Sequence, residues 1–146
     1  MEKYMNETRH LGVYGLIIND NKVLLVKKAR GAYTGKYDLP GGSIEHGEKP
    51  IETLKRELME ETGVQVASAM LIEANSVVVN WLHHEKMENM HHIGIIYKVD
   101  IEKGNIKTDA DGLDSLGAIW MDFDELNQDN ISSLTYEILK KYNYIK

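Results

Sequence analysis

The chain has 146 residues and a formal net charge of −6, from 17 basic and 23 acidic side chains. That length suits one domain with a full hydrophobic core, and the acidic balance argues against broad electrostatic binding of long nucleic acid. Cysteine is absent, which excludes disulfides, a thiol nucleophile and cysteine-ligated zinc.

In chain order, Val13–Ile18 and Val23–Lys28 are apolar runs on either side of Asn19-Asp20-Asn21-Lys22 and read as a hairpin. Lys36–Leu39 is a short strand that runs into Pro40-Gly41-Gly42, where two glycines permit a tight turn and close backbone approach. Pro50 suits a first helical turn, since the N–H it lacks would be unpaired there anyway. Gly63 suits the position just past a helix end, so a helix is predicted over about Pro50–Thr62. Its Ile51, Leu54 and Leu58 follow the three-four spacing of a buried stripe, and its acids are expected off that stripe.

Val64–Glu73, Ser76–Leu82 and Ile93–Asp100 are rich in Val and Ile and read as strands. Glu85–Met90 between them looks like the loop of a long hairpin. Leu116–Met121 is a further strand, and Asp122–Leu126 opens a helical turn. Ser132–Tyr142 carries Leu134, Ile138 and Leu139 at helical spacing and is predicted to close the chain as a helix. No linker, repeat or low-complexity tract interrupts residues 1–146, which are expected to form a single α+β domain, a sheet covered on both faces. The segment MEKYMNETRH lacks the apolar run of a signal peptide, and no stretch approaches the ~20 apolar residues of a membrane span. A cytoplasmic location without a membrane partner is therefore expected.

The chemistry concentrates in the predicted helix over Pro50–Thr62. Glu57, Glu60 and Glu61 are three or four positions apart, so their carboxylates share one side and repel by a few tenths of a kcal/mol per pair, roughly. They also crowd the C-terminal turns, where the helix dipole favours cations. Something outside the helix must compensate, and a divalent cation is the natural candidate. Three hard oxygen donors suit Mg²⁺ or Mn²⁺ better than a soft metal. The plain alternative is a solvated acidic face, with Arg56 in a surface ion pair to Glu52 or Glu60.

The segment GSIEHGEKPIETLKRELMEETGV, Gly42–Val64, resembles the Nudix box, the signature of hydrolases acting on nucleoside diphosphates linked to another moiety. Gly42, Glu48, Arg56-Glu57-Leu58, Glu60-Glu61 and Gly63-Val64 each fall at a specified position of that signature. Tyr37–Gly41 also looks like the strand entering the box, with a weaker likeness from about Leu11 to Leu126. The resemblance implies the Nudix fold, an α/β/α sandwich with a mixed β-sheet. It implies that Glu57, Glu60 and Glu61 bind Mg²⁺, with Mn²⁺ as the alternative, and that the carbonyl of Gly41 is a further ligand. Gly42 then belongs to the glycine turn facing them, while Arg56 and Glu48 form a pair that orients the cluster. The implied reaction is attack of an activated water on phosphorus, with loss of a phosphate-containing group. Glu57 is the first candidate for the group taking the water's proton, and an acid of the Asp109–Asp114 loop is the second. A small nucleotide is the implied partner, and homodimers are common among proteins of this resemblance. A nucleotide-sensing module without catalysis and an enzyme acting on RNA 5′ ends are the competing readings. The completeness of the glutamate cluster speaks against the first, and the acidic balance against the second.

Residues outside the box are less specific. Lys27, Lys28, Arg30 and Lys36 flank its approach and can neutralise phosphates or serve as surface charges. Tyr33, Tyr37 and Trp81 can stack on a base or fill the core. Asp111 and Asp114 are further candidates for a metal ligand or base, against a plain turn at Asp111-Gly112. His83-His84 and His91-His92 match no zinc spacing, because adjacent strand residues face opposite ways. They read as the polar end of a hairpin, with substrate contact at the rim of a site as the alternative.

Overall fold

A computed structural model describes residues 6–102, 106–107 and 115–146. Among these residues there are eight strands and two α-helices, with a 3₁₀ turn at Phe123–Glu125: β1 Asn6–Leu16, β2 Ile18–Asn19, β3 Lys22–Lys28, β4 Tyr37–Asp38, β5 Gly41–Ser43, α1 Pro50–Thr62, β6 Val66–His83, β7 Lys86–Ile101, β8 Ser115–Asp122 and α2 Ser133–Lys141. One sheet is mixed and ordered β5-β1-β7-β6, with β1 parallel to β7 and antiparallel to β5. The other places β3 between β8 and the β2 and β4 segments, all antiparallel to it.

The helices lie on opposite sides of this double sheet, because the central strands are apolar on both faces. Val13, Ile17, Leu24 and Val26 pack with Leu54 and Leu58 of α1. Their neighbours Tyr14, Leu16, Val23 and Leu25 pack with Leu134, Ile138 and Leu139 of α2. Consecutive strand residues point to opposite faces, so uninterrupted apolar runs are what a strand covered on both sides requires. The expected α+β sandwich with a mixed sheet is thus formed.

Three local expectations are corrected. The hairpin expected between Val13–Ile18 and Val23–Lys28 survives only as the pairing of Ile18 and Asn19 with Val23 and Lys22. The remainder of the first run belongs to the other sheet, where β1 finds β7 and β5 as partners. Val64–Glu73 and Ser76–Leu82 are one strand, β6, whose register with β7 shifts at Leu71/Glu73, as a β-bulge does without ending pairing. Glu85–Met90 is not a loop: β7 begins at Lys86, and the turn is His84-Glu85, with φ of 48° and 65°. Two successive positive φ values are the requirement of a two-residue type I′ turn. The β6–β7 ribbon consequently stays paired to its tip, where His83 lies opposite Lys86.

α1 begins at Pro50, with Glu52 Oε1 accepting the Lys49 N–H at 2.8 Å. It ends at Gly63, whose φ of 75° turns the chain while its N–H bonds the Met59 carbonyl. No helix among the described residues is long and apolar enough to cross a membrane.

Candidate active site

The centre of the site is the contact between α1 and β5. Glu57 and Glu61 lie one helical turn apart, and each meets a glycine of β5. Glu61 Oε1 accepts the Gly41 N–H at 2.7 Å. A Cβ added at Gly42 would stand 2.6 Å from the Glu57 carboxyl carbon, closer than atoms can approach. One added at Gly41 would run into the Val13 carbonyl, and its φ of +149° already selects glycine. The two glycines therefore leave a cradle in the sheet into which carboxylates project. Gly42→Ala is expected to push the Glu57 carboxylate aside and lower kcat at least tenfold with little loss of stability. Steady-state kinetics beside a thermal melt would check this, and unchanged kcat would mean that the cradle is not needed.

Glu61 corrects the expectation that all three acids lie off the core stripe. It is only 3% exposed, and its spacing from Leu54 and Leu58 continues the same three-four pattern, which places it on the buried side of α1. Glu60 points outward instead. Among the described residues no three His, Cys, Asp or Glu side chains draw together into a metal-holding group. The guanidinium of Arg56 reaches Glu57 at 2.9 Å and Glu60 at 3.3 Å.

Arg56 is the hub of this end. Its Nε and Nη2 fork onto Glu48 at 2.7 and 2.9 Å, Nη1 donates to Glu57, and Nη2 also donates to the Ser43 carbonyl at 3.1 Å. The planar guanidinium suits this bidentate pairing. Hydrogen bonding to Arg56 above all holds the Glu48 carboxyl down to about 2, and Glu48 in return raises the guanidinium. Of the two surface partners expected for Arg56, Glu60 pairs with it at 3.3 Å, whereas Glu52 caps the start of the helix.

Beside the glutamates opens a cavity of about 490 Å³, lined by Gly41, Gly42 and Glu57 at one end. Lys28 lines it from the end of β3 and Arg30 from just after it, Tyr33 from the stretch before β4, Asp38 from β4, and Trp81 and His83 from the β6–β7 tip. Lys36 and Tyr37 lie outside it. Tyr37 instead packs against the α2-side core, under the Lys27 ammonium at 5.8 Å. Asp109, Asp111 and Asp114 lie outside the described residues.

The cavity also contains groups that sequence reasoning missed. His92 is 1% exposed, not part of a polar hairpin end. Its Nε2 meets the Tyr14 hydroxyl at 2.7 Å and its Nδ1 the Tyr33 hydroxyl at 2.8 Å. Burial first, then the neighbouring His10, pushes its pKa down to about 3, so the ring is neutral. His10 stacks on it with centroids 4.9 Å apart and hydrogen-bonds Ser43 Oγ at 2.9 Å. The one available signal was alternation, since His92, Gly94 and Ile96 share the inward face of β7. Burial equally raises Tyr14 and Tyr33, keeping both phenols protonated.

Fold and site together define a hydrolase of pyrophosphate bonds, and the comparisons with known proteins agree. The NUDIX domain model matches residues 8–142, and the chain belongs to the Nudix family of pyrophosphohydrolases. An ADP-ribose pyrophosphatase of Methanocaldococcus jannaschii is 30% identical over 135 residues, 90% of this chain and 72% of that one. The nucleoside triphosphatase NudI of Escherichia coli is 47% identical over 53 residues, 35% of this chain and 38% of that one. The crystal structure of a MutT Nudix hydrolase from Burkholderia pseudomallei superposes with a TM-score of 0.70 at 25% identity, covering 90% of this chain and 96% of that one. A MutT protein from Methanosarcina mazei, 21% identical, shares the fold with a TM-score of 0.68 over 96% of each chain.

Proposed function

We propose that this chain cleaves the pyrophosphate of a nucleoside diphosphate linked to another moiety, with Mg²⁺ or Mn²⁺ held by Glu57, Glu60, Glu61 and the Gly41 carbonyl. The observation that carries the reading is the pairing of Glu57 and Glu61 with the side-chain-free strand Gly41-Gly42, at the end of a nucleotide-sized cavity. The donors fit such an ion in their chemistry, all oxygen and largely anionic. Glu57 and Glu61 already face the glycine cradle, and the exposed Glu60 would have to turn in to join them. Bound there, the cation supplies positive charge that polarises a phosphoryl oxygen and acidifies a water.

The protein's own groups do the rest. Glu57, at the cavity wall, takes the proton of the attacking water, and an acid of the Asp109–Asp114 segment is the other candidate. The water oxygen bonds to phosphorus, the P–O bond to the bridging oxygen breaks, and the departing phosphate carries that oxygen and its electron pair. Arg56 restrains Glu57 laterally while Glu48 restrains Arg56. Lys28 and Arg30, which also line the cavity, balance phosphate charge. The names of the relatives support nucleoside triphosphates and ADP-ribose as the first compounds to try.

The test is a panel of nucleoside triphosphates, nucleotide sugars, ADP-ribose and dinucleoside polyphosphates, incubated with protein and Mg²⁺, with products identified by mass. At least one compound should yield a nucleotide and a phosphate-containing product, and a chelator should stop the reaction. Turnover of none, or turnover indifferent to chelation, would refute the proposal.

A further inference from the structure

The loop 29–36, between β3 and β4, is tied at its neck and again near its tip. At the neck the Lys28 N–H bonds the Lys36 carbonyl at 2.9 Å, and the Gly35 N–H bonds the Lys28 carbonyl at 2.8 Å. Gly31 and Gly35 turn the chain with φ of 88° and 81°. A Cβ added at either would meet nothing within 4 Å, so packing at the glycines does not fix the tip. Thr34 and Lys36 bond back to the carbonyls of Gly31 and Tyr33, which folds the loop only on itself. Tyr33 is different. It is the one buried residue of the eight, and its hydroxyl meets His92 Nδ1 at 2.8 Å.

The histidine end of that bond is fixed. His92 lies on β7, in register with His10 of β1 and Val77 of β6. Its other nitrogen is held by the Tyr14 hydroxyl, and His10 stacks on its ring. Water cannot replace a partner lost at this depth, so the bond is worth keeping made. It thereby passes the position of a central strand to an exposed loop. What the loop presents to the cavity is Arg30, with Gly31 and Ala32 beside it. A loop held in place beforehand does not have to be ordered by the ligand, which favours binding. Lys28 is placed in another way. It belongs to β3 and is in register with Ser115 of β8, so sheet pairing positions it independently of the loop tip.

We propose that Tyr33 is a positioning residue: its hydrogen bond to His92 holds the loop 29–36 against the cavity and so places Arg30 where substrate phosphate binds. The inference rests on the phosphate role given to Arg30 above, and it adds what sets that residue in place.

Titration calorimetry of the full chain with methylenediphosphonate in Mg²⁺ buffer tests it. This probe has two phosphorus groups joined by a carbon, so binding is read without turnover. Tyr33→Phe keeps the ring and removes the hydroxyl, and it should weaken binding roughly three- to tenfold, the scale of one neutral hydrogen bond. Arg30→Ala should weaken binding by at least as much. Adding Tyr33→Phe to Arg30→Ala should then change nothing further, whereas adding it to Lys28→Ala should show the full factor. A residue that only stabilised the fold would weaken binding alike in both backgrounds. Wild-type binding by Tyr33→Phe, or equal losses in the two backgrounds, would overturn the proposal. If Tyr33→Phe does not fold, hydrogen exchange of the wild-type chain gives the reading. Amides of residues 29–36 should exchange at the same rate with and without the phosphonate, and strong protection on binding would overturn the proposal, because the ligand would then be ordering the loop. Wild-type binding by Arg30→Ala would strike the phosphate role itself and this inference with it. Weakening by Arg30→Ala without any by Tyr33→Phe would strike the inference alone.

Discussion

Glu57→Gln, Glu60→Gln and Glu61→Gln are each expected to lower kcat on the best substrate by roughly 100- to 1,000-fold, about 3 to 4 kcal/mol of transition-state stabilisation. Each exchange removes one anionic oxygen from the set proposed to hold a divalent cation by charge, while keeping the shape of the side chain. The three differ in what else they disturb. Glu60 is exposed, so its loss should leave the melting temperature unchanged. Glu57 also partners Arg56, and its amide would still accept that hydrogen bond. Glu61 is buried on the Gly41 N–H, and the Gln oxygen can keep that contact. Kinetics at saturating Mg²⁺ beside thermal melts would separate loss of chemistry from loss of fold. Wild-type rates in both Glu60→Gln and Glu61→Gln would remove the metal assignment altogether.

The second large effect is expected at Arg56. Arg56→Lys retains a positive charge but cannot fork onto Glu48 while also reaching Glu57 and the Ser43 carbonyl. Residues that orient metal ligands typically change activity by about 10- to 100-fold when altered, and a fall in kcat of that size is expected. Acid stability reports the same hub. Glu48 is held down to about 2 in the folded protein against an ordinary 4.5. A carboxyl depressed in this way binds protons more readily when unfolded, so its stabilisation is complete above 4.5 and is lost as pH falls from there towards 2. Arg56→Met should therefore be less stable than wild type at neutral pH, and the gap should narrow across that interval. Denaturant unfolding at a series of pH values measures it, and a pH-independent gap would mean that Arg56 acts through packing alone.

The parts that sequence reading resolved are those whose determinants lie close together in the chain. Pro50 and Gly63 bracket α1 to the residue, and the acids, Arg56 and Glu48 all fall within or just before it. Contacts between distant segments were not legible. Nothing near Val13 reveals that its strand lies parallel to β7 and not against the run that follows it. Nothing near His92 reveals Tyr14, 78 positions away, or near Asp38 its bond to Ser132, 94 positions away. The misplacement of Glu61 has a different cause: charge suggested solvent, whereas its spacing from Leu58 already placed it on the buried side. For Lys36 and Tyr37, proximity to the box in sequence suggested the cavity, but strand alternation and the α2-side core took Tyr37 elsewhere.

Tyr14 lies across strand positions that carry no side chains. A Cβ at Gly12 would stand 2.5 Å from its hydroxyl, one at Gly41 2.8 Å from its ring, and one at Gly94 3.2 Å from the ring's other edge. The phenol thus takes the volume that β1, β5 and β7 give up there. Positions 12, 14, 41 and 94 are consequently one steric unit. Enlarging Gly12 requires the tyrosine to move, Gly41 is held besides by the Val13 carbonyl and Gly94 by Leu134, and shrinking the tyrosine leaves a trench that no single glycine replacement refills. Substitutions at these four places should therefore be non-additive, even though they are scattered over most of the chain.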